Sequence, residues 1–256
     1  MANLQDKFSW YELMTTDTHA AGKFYSSVVG WTAKDVGMPA MPYTTFNIGD
    51  HGMAGMMTLP QEAGPTPAWI GYIHVPDVDA HAAKVVAAGG TLHKGPVDVP
   101  GMLRFVVMVD PQGAPFVLFT SNPAMTPIPN PPAPGTAGTI GWRELMAADG
   151  GAAFDFYSQM FGWEKGEAHD MGPMGTYQVF DVDSIPNGGI MTKPPAVPGP
   201  FWNYYFQVDG ADAAVERIKT NGGNVLNGPH QVPGGSWIVQ AVDPQGAAFC
   251  LISATA

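Results

Sequence analysis

Two stretches of this chain carry the same short motif, and each precedes a predicted helix. Residues 9–17 read SWYELMTTD, and residues 141–149 read GWRELMAAD. Further matches follow in the same order, including FYSSVVGW with FYSQMFGW and VDPQGAPFVLF with VDPQGAAFCLI. Self-similarity at a fixed period over most of a sequence is typical of a duplicated structural unit. The chain is therefore predicted to hold two copies of one fold.

Each copy is predicted to run strand, helix and three strands, twice over. FSWYELM alternates its side chains between two faces, which indicates a strand. Thr16 and Asp17 offer N-caps for the helix that follows, and Gly30 offers its end. DVDAHAAKVVAAGG predicts a second helix, and DPQG at 110–113 predicts a turn in a closing hairpin. The whole chain is thus predicted to contain four βαβββ modules.

The proline distribution suggests where the two copies meet. Residues 121–139 read SNPAMTPIPNPPAPGTAGT, and such a proline-rich stretch favours an extended, semi-rigid linker over a packed element. The predicted domains are therefore 1–120 and 140–256, joined by the linker 121–139.

Composition excludes several classes of partner. The formal net charge is −11, so phosphate backbones and anionic lipid surfaces are repelled on average. The chain has a single cysteine, which rules out an internal disulfide framework, and no apolar run approaches the roughly 18 residues that span a bilayer. We expect a cytoplasmic protein, a monomer or a homodimer, without a nucleic-acid or membrane partner.

The repeated motifs resemble the vicinal oxygen chelate superfamily, which includes glyoxalase I, extradiol dioxygenases and bleomycin-resistance proteins. The marks of this resemblance are the FY…GW helix end, the AAGG and TNGG helix stops and the VDPQG hairpin, which together cover nearly the whole chain outside the linker. The resemblance implies an α+β fold in which four βαβββ modules form two glyoxalase-like domains with curved mixed sheets. It further implies that paired modules enclose a cleft that holds a ligand.

Metal-dependent members of that superfamily usually place a His on the first strand of a module and a Glu on the last. The matching positions in this chain are occupied by Trp10, Trp142, Ile70, Asn203, Val117 and Cys250. These residues do not form a set of His and carboxylate ligands. No bound metal or other cofactor is therefore expected. The alternative is a divalent metal held by displaced ligands, of which Glu12 with His74 is the conceivable pair.

Strand alternation places Glu12 and Glu144 on the cleft face, beside Trp10 and Trp142. A buried carboxylate is costly unless it is paired, so each glutamate requires a partner, which is either a group of the chain or a ligand. Both glutamates are also candidate catalytic acids or bases. The full predicted ligand-binding set is Trp10, Glu12, Tyr72, His74, Trp142, Glu144, Asn203 and Tyr205.

Three functions remain open from the sequence. The leading one is metal-free binding of a small aromatic or cationic molecule in an aromatic cleft. The second is an enzyme, either a metal-dependent lyase or dioxygenase with displaced ligands, or a metal-free isomerase or hydrolase that uses a cleft glutamate. The third is a degenerate scaffold with an interaction role, which would be supported if both clefts were filled by their own Trp and Met side chains.

Overall fold

The computed structural model describes residues 5–37, 42–61, 64–122 and 132–256, and it shows an α+β protein. The first copy contains β1 (Phe8–Thr15), α1 (Thr18–Val29), β2 (Thr32–Asp35), β3 (Thr44–Ile48), β4 (His51–Thr58), β5 (Ala68–His74), α2 (Val78–Ala87), β6 (Thr91–Val99), β7 (Leu103–Val109) and β8 (Pro115–Ser121). The second contains β9 (Ile140–Ala147), α3 (Gly150–Phe161), β10 (Glu164–Asp170), a 3-10 turn (Gly172–Met174), β11 (Thr176–Val182), β12 (Ile185–Thr192), β13 (Phe201–Gln207), α4 (Ala211–Thr220), β14 (Asn224–Gln231), β15 (Trp237–Val242) and β16 (Ala248–Ser253). The four predicted βαβββ modules are confirmed.

The opening strand and helix form where the sequence predicts them. Asp17 caps α1 by accepting a hydrogen bond from the backbone N–H of Ala20 at 2.9 Å. Gly30 ends the helix in the left-handed conformation, with φ 88°, which glycine adopts without a Cβ penalty. Asp149 and Gly162 bound α3 in the same manner.

The strands form two eight-stranded mixed sheets. One has the order β2-β3-β4-β1-β5-β8-β7-β6, and the other has the order β10-β11-β12-β9-β13-β16-β15-β14. In both sheets the first strand of a module pairs in parallel with its last strand, as β1 does with β4 and β5 does with β8. The predicted fold class is confirmed.

The chain divides into two compact units, and each unit contains one module from each copy. Unit 1 comprises Met1–Ser9, Ile70–Pro127 and Arg143–Asn203, and unit 2 comprises Trp10–Trp69, Ile128–Trp142 and Tyr204–Ala256. The predicted domains 1–120 and 140–256 correspond to the two copies of the duplication, and their boundaries remain a prediction. Residues 123–131 of the predicted linker lie outside the described residues.

A buried hydrogen-bonded cluster ties the two modules of unit 2 together. The Tyr25 hydroxyl donates to Asp243 Oδ2 at 3.1 Å and accepts from Trp69 Nε1 at 2.9 Å. Asp243 Oδ1 accepts from the backbone N–H groups of Gln245 and Ala247, each at 2.9 Å. Burial, followed by the charge of Asp243, raises the pKa of the Tyr25 phenol, and burial also raises the pKa of Asp243.

Unit 1 contains the same cluster built from the other two modules. Tyr157 donates to Asp110 Oδ2 at 3.1 Å and accepts from Trp202 Nε1 at 3.1 Å. Asp110 Oδ1 accepts from the backbone N–H groups of Gln112 and Ala114. The repeated FY and DPQG motifs are therefore explained by packing, because the tyrosine of one copy binds the aspartate of the other.

No described helix has the length and apolar character needed to cross a membrane.

Candidate functional site

The face of β1 that carries Trp10 and Glu12 is the strongest candidate site in unit 2. Tyr11 and Leu13, on the opposite face, are fully buried in the core. Trp10 is half-buried, whereas Glu12 is only 8% exposed. The alternation predicted from the sequence is therefore present in β1, and it leaves a largely desolvated carboxylate beside a partly accessible indole ring.

A tyrosine that the sequence reasoning did not select is the partner of Glu12. The Tyr43 hydroxyl donates to Glu12 Oε2 at 2.8 Å and accepts from Trp10 Nε1 at 3.1 Å. The pKa of the Tyr43 phenol is raised, first by burial and then by the negative charge of Glu12, while the hydrogen bond from Trp10 acts in the opposite direction. Tyr43 therefore remains protonated at neutral pH and acts as a donor to the carboxylate.

Two glycines of β4 make room for these aromatic rings. Gly55 is the register partner of Glu12, and a Cβ at residue 55 would overlap the Tyr43 hydroxyl. A Cβ at Gly52 would lie 3.3 Å from the Trp10 ring. The absence of a side chain at Gly55 thus allows Tyr43 to lie directly beside Glu12.

The corresponding carboxylate in unit 1 has a different partner. Asn203 Nδ2 donates to Glu144 Oε2 at 3.0 Å, and both residues are buried, at 8% and 7% exposure. Asn203 comes from the first strand of its module and occupies a position where the superfamily resemblance implies a metal ligand. The structure therefore brings together two of the predicted ligand-binding residues.

Unit 1 nevertheless contains a tyrosine that corresponds to Tyr43 and likewise lies against a strand glycine. Gly189 of β12 is the register partner of Glu144, and a Cβ at residue 189 would overlap the ring and hydroxyl of Tyr177. Tyr177 aligns with Tyr43 in the match between YTTFNI and TYQVFDV. That match was the sequence signal by which both tyrosines could have been found.

Tyr72 and His74 lie on β5 in unit 1 and contact aromatic neighbours. The Tyr72 ring centroid is 5.9 Å from that of Phe119, and the His74 ring meets Phe119 edge-on at 5.2 Å. His74 Nε2 lies 3.5 Å from Ser121 Oγ, while the buried Nδ1 has no hydrogen-bond partner among the described residues. Burial lowers the pKa of His74, and the charge of Asp6 partly opposes this effect.

The last two predicted ligand residues lie in unit 2. Trp142 is half-buried on β9. Tyr205 is buried on β13, and its hydroxyl accepts a hydrogen bond from Gln240 Nε2 at 3.3 Å. Their roles in binding remain predictions.

The side chains at the implied metal positions do not fit a divalent ion. Ile70, Val117 and Cys250 are buried, Trp10 donates to Tyr43, and Asn203 donates to Glu144. Across the part of the chain that the structure describes, no three His, Cys, Asp or Glu side chains converge as metal ligands. A hard divalent cation requires several converging oxygen or nitrogen donors, and these residues do not provide them.

Family models match both copies of the chain. Residues 11–119 match the Glyoxalase-like domain, and residues 139–251 match the Glyoxalase/Bleomycin resistance protein/Dioxygenase superfamily. The two matches fall on the two predicted copies and leave the proline-rich stretch between them.

Full-length relatives and solved structures agree with these matches. CFP32 of Mycobacterium tuberculosis, which carries a provisional glyoxylase name, is 32% identical over 250 residues and aligns over 95% of this chain and 93% of its own. The anthracycline biosynthesis protein DnrV of Streptomyces peucetius is 32% identical over 262 residues, covering 95% and 92% of the two chains. The Mn(II)-bound glyoxalase from Novosphingobium aromaticivorans superposes with a TM-score of 0.66 at 17% identity, covering 97% of this chain and 82% of its own. The 2,3-dioxygenase LapB from Pseudomonas sp. KL28 gives 0.64 at 13% identity, covering 97% and 92%, so both structures show the fold alone.

Proposed function

Because the chain belongs to the Glyoxalase/Bleomycin resistance protein/Dioxygenase superfamily, we propose that it binds a small aromatic or cationic molecule without a bound metal ion. The ligand packs against Trp10 and is held by the Glu12 carboxylate in unit 2. A second molecule is held by Glu144 and Asn203 in unit 1. Trp142, Tyr72, His74 and Tyr205 are proposed as further contacts.

The observation that carries this proposal is the desolvated carboxylate two residues from a half-buried indole, present on the opening strand of both copies. A carboxylate at low exposure gives a strong interaction with an ammonium group or a hydrogen-bond donor, because little water competes for it. A flat indole ring provides stacking area and attracts cations through its π face. Together these groups favour a ligand with a planar ring and a nearby positive charge or donor.

The name of one relative suggests a specific class of test ligand. DnrV is named for anthracycline biosynthesis and aligns over nearly its whole length. Anthracyclines combine a planar polycyclic ring system with, in many members, an amino sugar, which is the chemistry that a Trp and Glu pair would recognise. The superfamily's metal chemistry is not part of the proposal, since the side chains at the implied ligand positions do not suit an ion.

Titration calorimetry on the wild type, Glu12→Ala and Glu144→Ala tests the proposal. The ligands are an amino-sugar anthracycline, its uncharged aglycone, and a panel of aromatic and cationic metabolites. Each substitution is expected to lower the affinity of its own site for the amino-sugar compound by about tenfold or more, where tenfold is about 1.4 kcal/mol. The affinity for the aglycone is expected to fall less. Glu12→Gln and Glu144→Gln serve as isosteric controls for loss of charge. Equal binding by all three proteins would refute the role of the carboxylates.

An enzyme is the competing function, and the glyoxylase name of CFP32 is the observation that favours it. The buried glutamates would then act as a general acid or base in a metal-free isomerase or hydrolase. Elemental analysis of untagged protein separates this alternative from a metal-dependent one. A stoichiometric transition metal would contradict the metal-free proposal.

A further inference from the structure

The chain places a tyrosine and a glycine near each buried glutamate. In unit 2, Tyr43 overlies Gly55, which is the register partner of Glu12. In unit 1, Tyr177 overlies Gly189, which is the register partner of Glu144. The two arrangements are built from different strands of the chain, yet each combines a tyrosine, a glycine and a glutamate.

Each glycine is needed because the tyrosine occupies the space that a side chain would fill. The backbone conformation of the glycine itself does not require it. Gly55 and Gly189 lie inside regular strands, and neither has the positive φ that makes glycine necessary. Any Cβ at these positions would occupy the volume of the tyrosine ring or hydroxyl. Glycine within a strand weakens it and often marks a close approach by another group. Here the approaching group is the phenol.

In unit 2 the phenol completes a relay of hydrogen bonds that ends on the carboxylate. The Trp10 indole N–H donates to the Tyr43 hydroxyl, and that hydroxyl donates to Glu12 Oε2. Each of these side chains has rotatable bonds, and the relay fixes all three relative to β1 and β4. A hydrogen bond to an ionised acceptor is stronger than one between neutral groups, so the carboxylate is held in one orientation.

We propose that Tyr43 is a positioning residue that fixes the Glu12 carboxylate for the ligand's ammonium or donor group, with Gly55 as the residue that admits it. In unit 1, Gly189 admits Tyr177 in the corresponding place, while Asn203 is the donor to the Glu144 carboxylate. This inference rests on the proposed binding function. It adds that specificity for a charged or donor-bearing ligand depends on a tyrosine and a glycine outside the glutamate's own strand.

The test compares Tyr43→Phe, Gly55→Ala, Tyr43→Ala and the Tyr43→Ala/Gly55→Ala double variant in the full chain. The probes are the amino-sugar anthracycline and its uncharged aglycone, and binding is monitored by the fluorescence of the probes themselves. All variants carry Glu144→Gln, which weakens binding of the amino-sugar compound at the site in unit 1. Tyr43→Phe removes only the hydroxyl and keeps the ring, so we expect the variant to fold. Tyr177→Phe is the matched control, because it alters the equivalent residue in the other unit.

Tyr43→Phe and Gly55→Ala are each expected to lower the affinity for the amino-sugar compound about tenfold and to change the affinity for the aglycone less than about twofold. Gly55→Ala is expected to add no further loss in the Tyr43→Ala background, because the ring with which its methyl group collides is gone. The Trp10 indole N–H signal in NMR spectra is expected to exchange faster with solvent in Tyr43→Phe than in the wild type or in Tyr177→Phe.

The outcomes separate this inference from the function on which it rests. If the wild type binds neither these probes nor any aromatic or cationic metabolite of the panel, the proposed function fails and the inference fails with it. If binding depends on Glu12 but is unchanged in Tyr43→Phe and Gly55→Ala, the positioning role alone is refuted. Equal losses for the charged compound and the aglycone would also refute it, because they would indicate a general packing defect.

Discussion

Glu12 illustrates what residue patterns reveal and what they omit. Alternation along FSWYELM predicts that Glu12 shares a face with Trp10, and the burial of Tyr11 and Leu13 on the other face agrees. The cost of burying a carboxylate predicts that it has a partner. The partner's identity was not predictable from β1, because Tyr43 lies just before β3 and is brought to Glu12 by the pairing of β3 with β4 and of β4 with β1.

The Tyr25 cluster gives a prediction about stability. Tyr25→Phe removes the hydroxyl that donates to Asp243 and accepts from Trp69, and it leaves both partners buried. We expect the free energy of unfolding to fall by about 1 to 3 kcal/mol, measured by urea denaturation. Ser27→Ala, on the exposed face of the same helix, is the control and should change stability by less than about 0.5 kcal/mol. Equal midpoints for the wild type and Tyr25→Phe would contradict the cluster's role.

His74 gives a prediction about pH. Burial lowers its pKa in the folded chain, so the unfolded chain binds the proton more tightly. The contribution of His74 to stability is therefore lost as the pH falls below the unfolded value of about 6.5 and through the folded pKa. Urea midpoints at pH 7.5 and 5.5 should accordingly differ less in His74→Gln than in the wild type. The exposed His93→Gln variant should behave like the wild type, and an unchanged pH dependence in His74→Gln would refute the prediction.

At the scale of helices and strands, local sequence signals agree closely with the structure. Asp17, Asp77 and Asp149 each cap a helix by accepting a hydrogen bond from a backbone N–H three residues further on. Such signals are local, because a cap, a helix stop or strand alternation depends on residues within one turn or one strand. The helix α4 differs, since its N-cap residue is Gly210, which has no side chain to accept such a hydrogen bond.

The caps predict a measurable difference within one helix. Asp149→Ala removes the acceptor for the Ala152 N–H at the start of α3, and it should lower the free energy of unfolding by about 1 kcal/mol. Asp155→Ala, in the exposed middle of the same helix, should change it by less than about 0.5 kcal/mol. Thermal or urea denaturation of both variants provides the comparison, and similar values for the two would contradict the capping role.

For the whole molecule, the sequence predicts two copies, whereas each compact unit combines one module from each copy. Tyr25 of the first copy donates to Asp243 of the second, and Tyr157 of the second donates to Asp110 of the first. The repeat predicted that these residues matter in each copy. It could not predict which copy supplies the partner, because both copies contain the same tyrosine and the same aspartate.

This exchange of partners predicts the behaviour of fragments. Residues 1–122 or 132–256 alone lack half of each compact unit, so neither is expected to fold as a monomer. Circular dichroism and light scattering should show an unfolded or self-associated species for each fragment. Co-expression should restore a soluble one-to-one complex. A cooperatively folded monomer of either fragment would contradict the prediction.

The most direct test of the metal-free binding site is a crystal structure of the wild type, purified without a histidine tag, with the amino-sugar anthracycline. The proposed function predicts a ring system packed against Trp10, an ammonium group within hydrogen-bond distance of Glu12, and the Tyr43 relay intact. Ligand density remote from both glutamates, or a stoichiometric metal ion held by other side chains, would contradict it.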